Sequence, residues 1–251
     1  MTRGVYVTGT DTGVGKTLTA ASLVAALNAS GTRAIGMKPV ASGCHGSAQG
    51  LRNADAELLL AHSARRADGT AFEYAQINPY AFADPIAPHI AAREAGMPIT
   101  LDAMTAAYTA LAAPASCIVV EGVGGWMAPL GAQLMQADLV RALRLPVILV
   151  VGLRLGCVNH ALLSARAIGD DGCELLGWIG STIDPAMLRR EENIVTLRER
   201  IAAPCLALLP HFDAVDPTRA VGALAMHLHA VCAALRGDGG AQRVPANSDP
   251  A

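Results

Sequence analysis

Short runs of β-branched and aliphatic residues alternate along the chain with longer stretches rich in Ala and Leu that repeat at helical period. Strands that read as continuously apolar, rather than alternating, belong to sheets covered on both faces. The pattern therefore predicts an α/β fold with a mostly parallel sheet flanked by helices. Strands are predicted over residues 4–8, 34–38, 117–121, 147–152, 175–183 and 205–209, each bounded by Gly, Pro or a polar turn residue. Helices are predicted over 15–29, 54–66, 88–95, 101–112, 134–143, 159–169, 185–201 and 217–235. No solenoid-length repeat or polar linker interrupts this order, so residues 1–235 read as one domain. Residues 236–251 carry Gly, Asp, Asn, Ser and Pro without an apolar pattern and read as a disordered tail.

Composition narrows the classes. Hydrophobic residues make up 52% of the 251 and charged residues 16%, yet every apolar run is broken before the ~18 residues a membrane span needs. The first residues lead straight into a strand pattern rather than a signal peptide, so the expected compartment is the cytoplasm, with no membrane partner. A net charge of −2 argues against a phosphate-backbone partner, and no nucleic acid is expected. The six cysteines (Cys44, Cys117, Cys157, Cys173, Cys205, Cys232) include no Cys-x-x-Cys pair, and read as mostly buried, reduced thiols.

The sharpest local signal is Gly9-Thr10-Asp11-Thr12-Gly13-Val14-Gly15-Lys16-Thr17, placed between an apolar strand and an Ala/Leu-rich helix. Gly13 and Gly15 let backbone N–H groups turn inward, the helix offers its positive end, Lys16 can reach β and γ phosphates, and the Thr17 hydroxyl can ligate Mg²⁺. The spacing departs from the usual phosphate loop: Thr10 stands where a Gly is standard, with Gly9 one residue earlier. Glu121 ends an apolar strand at the edge where open α/β sheets bind ligands, a position suited to Mg²⁺; Gly122, Gly124 and Gly125 follow it. Lys38 ends another such strand, followed by Pro39-Val40-Ala41-Ser42-Gly43; a second cation beside a γ phosphate would stabilise a developing oxyanion. From periodicity alone, Lys38 is equally a surface lysine, Glu121 a solvated strand-end acid and Asp55 a helix-start acid favoured by the dipole. Asp11 and Thr12 divide between turn stabilisation and ligand contact. His89, His160 and His211 lack metal-ligand spacing.

Together these blocks resemble the dethiobiotin synthetase family. The resemblance is carried by residues 9–17, 38–43, 51–55, 78–80 with 88–90, 120–126 and 155–161, six blocks in the family's order, and the longer loop spacing is the family's own variant. The resemblance implies a P-loop NTPase-like fold and a reaction of 7,8-diaminopelargonic acid with CO₂ and ATP, closing the ureido ring in biotin synthesis. It implies that Lys16 and Lys38 stabilise charge on the phosphoryl group and carbamate, and that Thr17, Asp55 and Glu121 organise Mg²⁺. Residues Gly13, Val14, Gly15, Lys16 and Thr17, with Glu121, Gly122, Val123 and Gly124, would line the nucleotide. Thr12 and Ser42 would contact the diamine or its carbamate. Residues 156–160, with Cys157 and Asn159, would receive the substrate carboxylate from a neighbouring subunit, implying a homodimer; Asn159 is equally a helix cap. At the base, Ser181 and Thr182 stand where members commonly place an adenine-reading Asn, and Pro210, His211 and Phe212 flank the other side.

Three other readings compete. A partitioning-type ATPase switch shares a variant loop on this fold, but its extra lysine is replaced by Asp11 and no basic amphipathic tail is present. A GTP switch lacks its Asn-Lys-x-Asp motif here. A related ATP-dependent amidoligase would carry an appended glutaminase domain, for which this chain is short.

Overall fold

The computed structural model describes residues 3–212 and 217–236. In chain order the elements are β1 (Arg3–Gly9), α1 (Lys16–Ala29), β2 (Ala34–Met37), β3 (Val40–Ala41), β4 (His45–Ser47), β5 (Gly50–Arg52), α2 (Ala54–His62), α3 (Tyr74–Ile77), β6 (Tyr80–Ala81), α4 (Pro88–Glu94) and α5 (Leu101–Ala112). They continue with β7 (Cys117–Gly125), α6 (Gln136–Leu143), β8 (Val147–Gly152), α7 (Cys157–Asp170), β9 (Leu175–Ser181), α8 (Arg190–Arg200), β10 (Cys205–Leu209), α9 (Pro217–Ala225), a 3₁₀ turn (Met226–Leu228) and α10 (His229–Arg236).

Six strands form one parallel sheet in the order β10-β9-β8-β1-β7-β2. From β1 the chain first builds toward β2, returns through β7, and then crosses to β8 on the other side of β1. Loops leaving the carboxyl ends of β1, β7 and β8 therefore diverge, which opens a crevice at the centre of the sheet's C-terminal edge. The central strands are buried on both faces: Val147, Ile148, Leu149, Val150 and Val151 are all fully buried, as their uninterrupted apolar run requires. Helix α1 lies against this core with Thr19, Ala20, Ala21 and Ser22 fully buried. Those small side chains let its axis come close, so the loop before it is held directly over the end of β1.

Each of the six predicted sheet strands is present. The strand predicted to end at Glu121 continues to Gly125, because Gly9 and Gly125 resume the pairing of β1 with β7 beyond an irregularity. The helix predicted to reach residue 66 stops at His62: the Ser63 hydroxyl donates to the Leu59 carbonyl and accepts from the Gly36 N–H, and the chain then turns so that Ala64 N–H donates to Ala34. The helix predicted from 185 starts at Arg190, after a turn in which the Asp184 carboxylate accepts from Ala186 N–H. The last helix is broken by the 3₁₀ turn. Arg236 closes α10 rather than opening a tail, and the remainder of the predicted tail, 237–251, lies outside the described residues.

Candidate functional site

The loop after β1 turns through two left-handed residues, Gly13 at φ 74° and Gly15 at φ 93°, a conformation that any side chain would strain. Gly15 also leaves no room: an added Cβ would lie 2.7 Å from Ser181 Oγ. Asp11 is resolved as a loop brace. Its carboxylate accepts from Thr12 N–H at 2.7 Å and pairs with Arg154 at 2.7 Å, while its carbonyl accepts from Lys16 Nζ at 2.8 Å. Lys16 thus folds back over its own loop.

Lys38 is no surface lysine. It is 5% exposed, at the end of β2, where its N–H donates to Ile77. Its three ammonium protons find three acceptors: Glu121 Oε1 at 2.7 Å, Asp55 Oδ2 at 3.1 Å and the Gly122 carbonyl at 3.2 Å. Glu121, 1% exposed, also accepts from the Thr17 hydroxyl at 2.8 Å through the same Oε1. Asp55 sits in the first turn of α2, whose cap is Asn53: the Asn53 Oδ1 accepts from Asp55 and Ala56 N–H. Asp55 is therefore both a helix-start acid and a partner of Lys38.

Electrostatics follow from this packing. Burial, then the like charge of Lys38, lowers Lys16 to about 8, against the pull of Glu121, Asp55 and Asp11. Burial works against the charged form of Lys38 too, but the Glu121 and Asp55 carboxylates overcome it and raise its pKa. For Asp55, burial is outweighed by Lys38, which holds its carboxyl below the usual range. Burial pushes Glu121 up.

One cavity of about 730 Å³ gathers Lys16, Lys38, Thr12, Gly13, Gly15, Thr17, Ser42, Asp55, Glu121, Val123 and Gly124. Its remaining wall comes from Leu18, Ala41, Asn53, Ala128 and the Pro85 to Pro88 segment, none of them expected as site residues, although Ala41, Asn53 and Pro88 lie in the family blocks 38–43, 51–55 and 88–90. Two residues expected at the nucleotide do not line the cavity. Val14 points its side chain into the core, and Gly122 offers its carbonyl to Lys38 while its α-carbon packs against Tyr6 and Gln136. Ser181 lies against Gly15, the Thr182 N–H donates to the Leu209 carbonyl and the Thr182 carbonyl is 3.0 Å from His211 Nδ1; Pro210 and Phe212 follow the end of β10, and none of the five lines the cavity. Cys157 and Asn159 are not brought to the cavity. They lie in the first turn of α7, Cys157 buried and Asn159 exposed, and the cap there is Gly156 at φ 93°, so Asn159 is not the helix cap.

The donor set suits Mg²⁺: a hydroxyl and two carboxylates are hard oxygens, and an ion that keeps waters and phosphates needs only one or two carboxylates. Glu121 Oε2 is buried and meets no hydrogen-bond partner among the described residues, an acceptor left over for a cation. No cluster of three or more His, Cys, Asp or Glu able to hold a metal by protein groups alone occurs among the described residues.

A parallel sheet with its phosphate-type loop, lysine and carboxylate at the central crevice defines a P-loop NTPase-like protein. Residues 3–219 match the family model AAA_26, described as an AAA domain. The ATP-dependent dethiobiotin synthetase BioD of Xanthomonas euvesicatoria pv. vesicatoria (strain 85-10) is 55% identical over 211 residues, covering 84% of this chain and 92% of that one. The protein of the same name from Xylella fastidiosa (strain 9a5c) is 53% identical over 224 residues, covering 89% and 96%. The chain belongs to the ATP-dependent dethiobiotin synthetase family. Among solved structures, the MinD cell division protein of Aquifex aeolicus shares the fold, with a TM-score of 0.59 at 14% identity over 94% of this chain and 98% of that one.

Proposed function

We propose that the protein converts 7,8-diaminopelargonic acid, CO₂ and ATP to dethiobiotin, ADP and phosphate. The observation that carries this reading is the meeting of two lysines, Lys16 and Lys38, with Thr12, Ser42 and the Glu121 and Asp55 carboxylates in one cavity. A nucleotide hydrolase needs one such lysine; a second, held by carboxylates, suits a second anionic reactant.

In the reaction, one amine of the diamine adds to CO₂, loses a proton and becomes a carbamate. A carbamate oxygen attacks the γ phosphorus and ADP leaves with the bonding pair. The second amine then attacks the carbamoyl carbon, loses its proton, and phosphate departs. Little covalent chemistry is asked of the protein, so positioning and charge stabilisation dominate. Lys16 leaves the Asp11 carbonyl to meet the phosphates. Lys38, already charged, faces the transferring group and the carbamate. Thr12 and Ser42 hold the diamine end, and Gly13, Gly15, Thr17, Val123 and Gly124 frame the nucleotide. Thr17, Asp55 and Glu121 would hold Mg²⁺, which when bound would neutralise phosphate charge. Ser181, Thr182, Pro210, His211 and Phe212 flank the base. The start of α7, with Cys157 and Asn159, takes the substrate carboxylate of a neighbouring copy in a homodimer, using the helix's positive end. No described helix is long and apolar enough to cross a membrane, and the proposed compartment is the cytoplasm.

Purified protein given Mg²⁺, ATP and bicarbonate should consume ATP only when the diamine is present, with dethiobiotin detected by mass spectrometry. ATP consumption that ignores the diamine and rises with DNA or vesicles would overturn this reading in favour of a partitioning-type switch.

A further inference from the structure

Three of the groups that face the cavity come from separate segments: Lys38 follows β2, Ser42 follows β3, and Asp55 opens α2. Between them runs a chain of side-chain hydrogen bonds that no step of the reaction uses. Asn78, 3% exposed, donates through Nδ2 to the Lys38 carbonyl at 2.7 Å and to the Tyr80 carbonyl at 3.0 Å. Its Oδ1 accepts from the Tyr74 hydroxyl at 2.8 Å. That hydroxyl in turn accepts from the Asn53 N–H at 2.7 Å. Asn53, 8% exposed, caps α2 through the N–H groups of Asp55 and Ala56, and its Nδ2 donates to the Ser42 carbonyl at 3.4 Å. The Arg52 guanidinium, 4.3 Å from the Tyr74 ring centroid, covers the ring. Segment 74–78 thereby makes Lys38 fast at both its N–H, through Ile77, and its carbonyl, through Asn78.

From this arrangement we infer that Tyr74, Asn78 and Asn53 form one positioning scaffold, with the Tyr74 hydroxyl as its keystone, that sets the spacing of Lys38, Ser42 and Asp55 for phosphoryl transfer. None of the three is a catalytic residue. Among the described residues no hydrogen bond joins Tyr74, Asn78 or Asn53 to the phosphate loop, which Asp11 braces internally through Lys16 and Thr12 and from β8's end through Arg154. The scaffold therefore acts first on the reacting ends, and reaches the nucleotide only through Asp55, whose carboxylate meets Thr17. A misplacement of about 1 Å in such a site costs on the order of 100-fold in rate. Removing the Tyr74 hydroxyl leaves Asn53 N–H and Asn78 Oδ1 without their partner and frees the two ends of the chain from each other.

The inference rests on the proposed activity, and Tyr74→Phe tests it with minimal change of shape. Expected is a fall in kcat of roughly 10- to 100-fold, with the KM for ATP raised no more than a few-fold and the melting temperature lowered by several degrees for the buried groups left unpaired. In an Asp55→Ala background the same change should cost little more, because residues acting through one another are not additive. Wild-type kcat in Tyr74→Phe overturns the inference. So does a KM for ATP that rises as steeply as kcat falls, which is what a general loosening of the site gives. If the wild-type chain shows no diamine-dependent ATP consumption, the proposed activity fails instead. The scaffold is then read from crystals of Tyr74→Phe: Lys38 Nζ drawn beyond about 3.5 Å from Asp55 Oδ2 supports it, and an unmoved pair overturns it.

Discussion

Lys16 and Lys38 are both buried ammonium groups, yet their surroundings drive them in opposite directions. Lys38 has two carboxylates on it and stays charged; among the described residues Lys16 has the Asp11 carbonyl as its one hydrogen-bond partner and feels Lys38 as a like charge. With Lys16 lowered to about 8, a growing fraction of the nucleotide-free protein carries it neutral as pH rises past that value. Triphosphate binding favours the ammonium form and raises its pKa. Above about pH 8, therefore, binding takes up a proton, and affinity falls with rising pH until the pKa of the complex is reached. Calorimetric titration of ATP at pH 8.5, in buffers of different ionisation enthalpy, should report net proton uptake that shrinks toward pH 7. Uptake that does not change with pH would mean another group is responsible. Glu121 completes the logic of the pair, since one of its oxygens serves Lys38 and Thr17 and the other is left over for a cation.

Among the elements, the segment after β7 shows how an exposed-looking loop is made rigid. Gln136, the first residue of α6 and fully buried, accepts from the Tyr6 hydroxyl at 2.7 Å and from Val123 N–H at 2.9 Å, and donates to the carbonyls of Val123, Gly125 and Trp126. One amide therefore clamps the end of β7, which carries Glu121 and Gly124, to α6 and, through Tyr6, to β1. Gln136→Leu keeps the volume roughly and removes every one of these bonds, leaving several buried groups unpaired at about 1–3 kcal/mol each. A loss of roughly 3 kcal/mol or more, near 10 °C in melting temperature for a chain of this size, is expected by calorimetry. A shift within a degree or two would show that water replaces the amide. Such clamps set the limit of what the sequence can reveal. The six sheet strands were legible because burial on both faces writes itself as an unbroken apolar run, and the phosphate loop because its glycines, lysine and threonine occupy consecutive positions. The two-residue pairing of β3 with β6, the β4-β5 hairpin and the single turn of α3 were not, since each is too short to carry a period. Lys38, Glu121 and Asp55 were each readable as candidates but not as partners, because their pairing depends on strand order. Gln136, Tyr74 and the Pro85 to Ala87 wall gave no signal of their roles, and Pro88 only as the start of a helix and of a family block, since those roles are made by contacts far away in sequence.

For the whole molecule, the described residues present the cavity at the crevice beside β1 and the α7 start elsewhere along the same sheet edge, with Leu155 91% exposed just before the Gly156 cap. An apolar side chain so exposed beside a helix's positive end makes sense if a second copy covers it and lends its cavity to that end. This arrangement predicts that two differently broken chains repair one another. Lys38→Ala removes the ammonium from its own cavity, with a loss in kcat on the order of 100- to 1000-fold. Asn159→Asp puts an acid in the first turn of α7, where the dipole welcomes it, so the helix is kept while an incoming carboxylate is repelled. In a mixed dimer, one site combines both defects, but the other pairs an intact cavity with an intact α7 start. Equal amounts of the two variants, mixed under conditions that allow subunit exchange, should therefore recover about a quarter of wild-type activity, since half of the dimers are mixed and each holds one sound site. If each chain completes its own site, the mixture can show no more than the mean of the two parents, and the neighbour's role would have to be withdrawn.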